Sequence, residues 1–107
     1  MIVTTTNDLV GYRIVRHLGI VRGITVRSRS VVGNMLGGLQ NVFGGKLSVY
    51  VSLAETARQE SFDLMVEHAE KGGANAIIGM RYDANEIMDG ITEVLAYGSA
   101  VLVEPSA

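Results

Sequence analysis

The chain contains no cysteine, so its possible ligands for a transition metal reduce to two imidazoles, His17 and His68, and to carboxylates. His17 stands among Arg13, Arg16 and Arg22, whose charges repel a cation. His68 falls near the end of a helical stretch and on its apolar stripe, which suits a core or interface histidine. Glu67 is adjacent but about 100° around the helix, so the two could share an ion only with a third group from elsewhere, such as a neighbouring copy. Asp83, Asn85, Glu86 and Asp89 crowd oxygen atoms into one stretch, the donors that hard divalent ions accept. They do not form an EF-hand, because Met88 stands where glycine is needed and Val94 occupies the twelfth position. A solvated hairpin loop is the simplest reading of that stretch. His68, Asp83 and Glu86 are the metal candidates, and a divalent ion is the only cofactor class they suggest.

Other motifs exclude more than they offer. Gly44-Gly45-Lys46 resembles the end of a phosphate loop, but Gln40 and Leu47 stand where that loop needs glycine and a hydroxyl residue. A turn between helices, with Lys46 beside a generic anion site, remains. The thirteen glycines include no i, i+2 pair, so the dinucleotide fingerprint is absent. Ser61 and His68 share a helix face but lie two turns apart, roughly 10 Å, too far for a nucleophile and its base. No catalytic pair is legible, and the reading leans away from an enzyme; an active site would have to be assembled between subunits.

The elements that position these residues follow from periodicity. Tyr12 to Arg27 reads as a strand, with Gly19 and Gly23 marking bulges or bends. Alternation puts Ile14, Leu18, Ile20, Ile24 and Val26 on an apolar face and Val15, His17, Val21 and Thr25 on a mixed one. Residues 30–43 carry helical spacing weakened by three glycines. A stronger helix follows, with a capping box at Ser52 to Glu55, or a start one turn earlier at Ser48, and a stop at Gly72-Gly73. Its apolar side is expected to carry Tyr50, Leu53, Ala54, Ala57, Leu64, Met65 and His68. Ala76 to Asp83 and Ile91 to Val103 read as two strands joined by a short connection and therefore antiparallel. The expected fold is α+β, one domain over residues 1–107, with a sheet packed on a long helix.

Composition bounds the rest. Apolar residues make up 48% of the 107, yet only six are aromatic, so the core must be aliphatic. That apolar content exceeds what one small core readily hides and favours a homo-oligomer. Residues 1–46 carry six bases against one acid and residues 47–107 three bases against ten acids. This asymmetry favours pairing within or between subunits, such as Arg58 with Glu93, over nucleic-acid binding, which would leave a basic stripe unneutralised. The N-terminus lacks the regions of an export signal, and no stretch is long enough to span a bilayer, so a cytoplasmic location is expected.

Several segments in order resemble the YbjQ-like family of small prokaryotic proteins, a family also associated with heavy-metal binding. They are Gly11-Tyr12, Leu18 to Val21, Val42 to Lys46, Ala57-Arg58, Gly73 to Gly79 with Arg81 to Asp83, and Thr92 to Gly98. The resemblance runs through nearly the whole chain. It implies a two-layer, dodecin-like β-α-β-β subunit with an antiparallel sheet, assembled into a ring of five, and no established activity. On that reading Arg58, Glu93, Tyr97 and Lys46 are the ligand or interface candidates.

Overall fold

A computed structural model describes residues 1–28 and 46–106, with the backbone alone over 46–49. Its elements are β1 (Ile2–Val3), β2 (Tyr12–Ser28), α1 (Lys46–Lys71), β3 (Ala76–Met88) and β4 (Ile91–Pro105). The sheet order is β1-β3-β4-β2, with β4 antiparallel to both long neighbours. β1 pairs parallel to β3, so the sheet is mixed where an antiparallel one was expected. The reason is the crossover: β2 and α1 intervene between the N-terminal strand and β3, and a connection of that length permits parallel neighbours. The helix expected over 30–43 and the Gly44-Gly45 turn lie outside the described residues.

The polar run 84–88, expected in a loop, continues β3 as strand, because its ladder to β4 overrides the weak strand propensity of Asn, Asp and Glu. Only Asp89 and Gly90 turn, Gly90 at φ 76°. Glu86 Oε1 accepts the Gly90 N–H at 3.2 Å and secures the turn.

α1 begins earlier than the Ser52 cap and stops where the double glycine foretells. Gly73 adopts φ 88°, its N–H donates to the Glu70 carbonyl at 3.0 Å, and the Ala74 N–H reaches Ala69 at 3.0 Å. This pair of bonds is the Schellman stop that satisfies the last helical carbonyls.

The buried stripe of α1 differs from the expected one. Ala57, Ser61, Met65 and Ala69 are buried at four-residue spacing, with Phe62 and Val66 packing beside them, while Leu64 and His68 are exposed. Ser61 tolerates complete burial because its hydroxyl bridges the Thr25 Oγ1 at 2.9 Å and the Val94 carbonyl at 3.0 Å. Small residues also bring the helix very close to β2. A Cβ on Gly23 would lie 2.0 Å from the Ser61 carbonyl oxygen, so only glycine fits there.

Two apolar clusters occupy opposite faces of the sheet. Under α1, Met65 and Ala69 pack on Val21, Ile77, Met80, Ala96 and Ala100. On the other face Ala76, Ile78, Val101 and Val103 are covered by Ile2, Leu9 and Ile14. Register shifts at Ile14/Arg16 and His17/Gly19 change which side chains of β2 face the helix. Beyond them Val21, Gly23 and Thr25 are buried and Ile20, Ile24 and Val26 exposed, the reverse of the expected assignment for this half. The result is a ribbon of 58 × 27 × 20 Å.

Candidate functional site

At the outer edge of β2, α1 leaves a groove of about 410 Å³ between Arg22, Gly23 and Ile24 on the strand and Leu64, Glu67, His68 and Lys71 on the helix. Half-exposed Ile24 and Leu64 supply its apolar wall. The Arg22 N–H donates to His68 Nδ1 at 3.2 Å, which requires a lone pair on Nδ1 and leaves the proton of the neutral ring on Nε2. Lys71 Nζ pairs with Glu67 Oε1 at 3.0 Å one helical turn away. Both groups are largely exposed, so the pair contributes only a few tenths of a kcal/mol. The groove thus carries the compensated Glu67–Lys71 pair beside the His68 ring, while the Arg22 side chain shares the opposite face of the sheet with Tyr97.

A second polar cluster lies further up the helix. Tyr82 on β3 has its phenol held above the ordinary value, first by desolvation; Arg58 opposes the shift, and Glu55 and Asp63 add to it. Tyr82 stays protonated through neutral pH and acts there as a hydroxyl donor or acceptor.

The structure separates the sequence candidates more than it gathers them. Arg58 lies on the helix side of the sheet with Tyr82, whereas Tyr97 alternates with helix-facing Ala96 and Gly98 and so belongs to the opposite face. There Tyr97 is flanked in register by Arg22 and Arg81, and Glu93 by Val26 and Asn85. Arg58 and Glu93 form no ion pair with each other within the subunit. Lys46 is the first residue of α1, and its side chain lies outside the described residues. Asp83 is opposite Leu95 and accepts the Ala84 N–H at 3.1 Å. Glu86 is committed to the hairpin turn, well away in sequence and register from the groove that holds His68. His17 is opposite Val101, towards the other end of the ribbon.

Among the described residues no three His, Asp or Glu side chains come together to hold a metal ion. Sequence reasoning located His68 and put Leu64 on its stripe but missed Arg22, Gly23 and Lys71 as its surroundings. Gly23 was the available signal, since a glycine inside a strand marks a close backbone approach.

No helix among the described residues is long and apolar enough to cross a membrane. In a search of solved structures, a protein of unknown function in the DUF74 family from Pediococcus pentosaceus matches with a TM-score of 0.57 and 19% identity, covering 97% of this chain and 98% of that one. That match speaks to the fold alone. A UPF0145 protein of Chromobacterium violaceum is 60% identical over 105 residues, covering 98% of this chain and 90% of the relative. One of Solibacter usitatus is 57% identical over 105 residues, covering 98% and 94%. The YbjQ_1 family model, described as "Putative heavy-metal-binding", matches residues 1–104. The chain belongs to the YbjQ family.

Proposed function

We propose that the protein is a non-catalytic binding or scaffold component of the cytoplasm that works as a closed homo-oligomeric ring, with five subunits as the expected number. One observation carries this reading: the subunit is too extended to be a finished globule. Its radius of gyration is 17.2 Å, against about 13 Å for a compact domain of this length. Its accessible surface is 7004 Å², where a folded monomer of this mass would show roughly 5,800 Å². Exposed apolar side chains on the strands, Ile20, Ile24, Val26, Ile87 and Met88, contribute to it and are the kind of surface that subunit contacts consume. Arg58, Glu93, Tyr97 and Lys46 are proposed as residues of the ligand or subunit boundary. Native mass spectrometry of untagged protein prepared without chelators tests the proposal. A single closed species of five subunits is expected; a monomer at micromolar concentration overturns it.

A second reading is supported by His68. Its Nε2 is not the nitrogen engaged by Arg22, and a ring could bring carboxylates such as Asp83 or Glu86 of a neighbour towards it. The protein would then bind a divalent ion through ligands shared between subunits. At a hundredfold excess over its dissociation constant such an ion adds about 2.7 kcal/mol of stability. For a domain of this size that raises the melting temperature by roughly 10 °C or more. No rise with any ion of a Zn²⁺, Ni²⁺, Co²⁺, Mn²⁺ and Cu²⁺ panel excludes this reading.

A further inference from the structure

We infer, resting on the reading that the subunit assembles, that the contact between copies joins unlike edges of the sheet. Residues 20–28 of β2 on one copy pair with residues 81–88 of β3 on the next.

The two edges are unlike their own continuations. β2 is the last strand on its side of the sheet, and its first half is broken by two register shifts and carries Arg13 and Arg16. Bulges and charges are the devices that keep an edge from pairing. From Ile20 onward the ladder is regular: the bulges stop, and although Arg22 and Arg27 remain, Ile20, Ile24 and Val26 are 75%, 43% and 50% exposed. β3 shows the same division. Its first half is covered by β1 and by bonds from Gly79 to Thr6, Met80 to Thr4 and Arg81 to Thr5. Beyond Arg81 no strand among the described residues lies outside it, and Ile87 and Met88 are 50% and 65% exposed.

The backbone of β2 is oriented for such a contact. Because the Arg22 N–H is given to His68, Arg22 is a residue whose peptide groups turn away from β4. With a period of two, Ile20, Ile24 and Val26 turn theirs outward as well, and the Val26 carbonyl does receive the Arg27 side chain at 3.4 Å. These outward groups at Ile20 and Ile24 match what an added strand requires.

Charge selects between like and unlike pairing. Among the described residues Arg22 has no ion pair, nor do Asp83, Glu86 and Glu93 at the hairpin end. β2 against β2 would oppose Arg22 to itself, and β3 against β3 would oppose Asp83 and Glu86 to themselves. β2 against β3 brings opposite signs together. Both strands run antiparallel to β4 and hence parallel to each other, so joining them continues the sheet from copy to copy. A contact between unlike surfaces is the kind that closes a ring by rotation.

The test blocks one edge at a time. Ile24→Lys places a charge on the β2 edge and Ile87→Lys on the β3 edge, both at exposed positions where the subunit fold is retained. Should either fail to give a folded circular dichroism spectrum, Val26→Lys or Met88→Lys takes its place. Each variant alone is expected to run as a monomer. Mixed in equal amounts at the wild-type working concentration, they form a one-to-one pair of twice the subunit mass and nothing larger, since the pair's outer edges are both blocked. Either variant forming a dimer by itself means that like edges meet, and overturns the inference. So does either variant keeping the wild-type ring, or a mixture that yields no pair while wild type assembles. A wild-type monomer instead removes the assembly reading beneath it.

Discussion

The two ends of the ribbon are built to different standards. At the end formed by β1, the first halves of β2 and β3 and the last third of β4, both faces of the sheet are covered and its edges are bulged or paired. At the hairpin end α1 covers one face over Val21 and Thr25, and Ile24, Val26, Ile87 and Met88 stand exposed among charged residues such as Arg22, Asp83 and Glu86. The first end holds both apolar clusters of the sheet, and the second carries the surface proposed above as a contact between copies. On that proposal, folding and assembly fall to different parts of one small sheet.

Substitutions sharpen or break this division. The largest loss is expected at the seam, where Gly23→Val would drive side-chain atoms into the α1 backbone, a Cβ alone lying 2.0 Å from the Ser61 carbonyl oxygen. A cost of about 3–5 kcal/mol, seen as a collapse of the thermal transition, follows from forced separation of helix and strand. Met65→Ala, in the covered region and completely buried, should cost about 2–5 kcal/mol in denaturant titration through the cavity it leaves. Ile24→Ser, at the hairpin end, should change the unfolding free energy of the dissociated subunit by no more than about 0.5 kcal/mol while weakening self-association measured by analytical ultracentrifugation. If it destabilises the isolated subunit as much as Met65→Ala does, the division is wrong. The smallest effect is electrostatic. Tyr82 is held above its ordinary value in the folded chain, so its contribution is fully present below the unfolded value and is lost as pH rises through the folded one. Tyr82→Phe should therefore flatten part of the stability loss as pH rises from about 10 upward, with little change at pH 7.

What could be read in the sequence follows the same division. The Gly72-Gly73 helix stop, the two long C-terminal strands and the α+β class were legible because local chemistry decides them. The side of β2 that faces the helix was not. Ile20, Ile24 and Val26 look like core by composition, but two bulges reset the alternation, and their apolar face is left open in the subunit. α1 was misread for a related reason. Ser61 counts as polar in any periodicity, yet two hydroxyl bonds bury it, while Leu64, which counts as apolar, lies on the groove. Residues 84–88 looked like a loop because their composition is polar, whereas pairing with β4 extends the strand through them. Of the candidate residues, His68 was identified but its partner was not, since a bond to the backbone N–H of Arg22 leaves no trace in side-chain types.

That bond has a further use. In an edge strand, amides that point away from the sheet exchange their protons with solvent quickly, but the Arg22 amide is held by an imidazole. In the dissociated subunit it should stand as one slowly exchanging site between fast neighbours at Ile20 and Ile24. If, as proposed, a strand from another copy pairs there, those neighbours should slow as well. The deuterium uptake of this short stretch therefore gives the chain its own gauge of assembly, needing neither label nor tag.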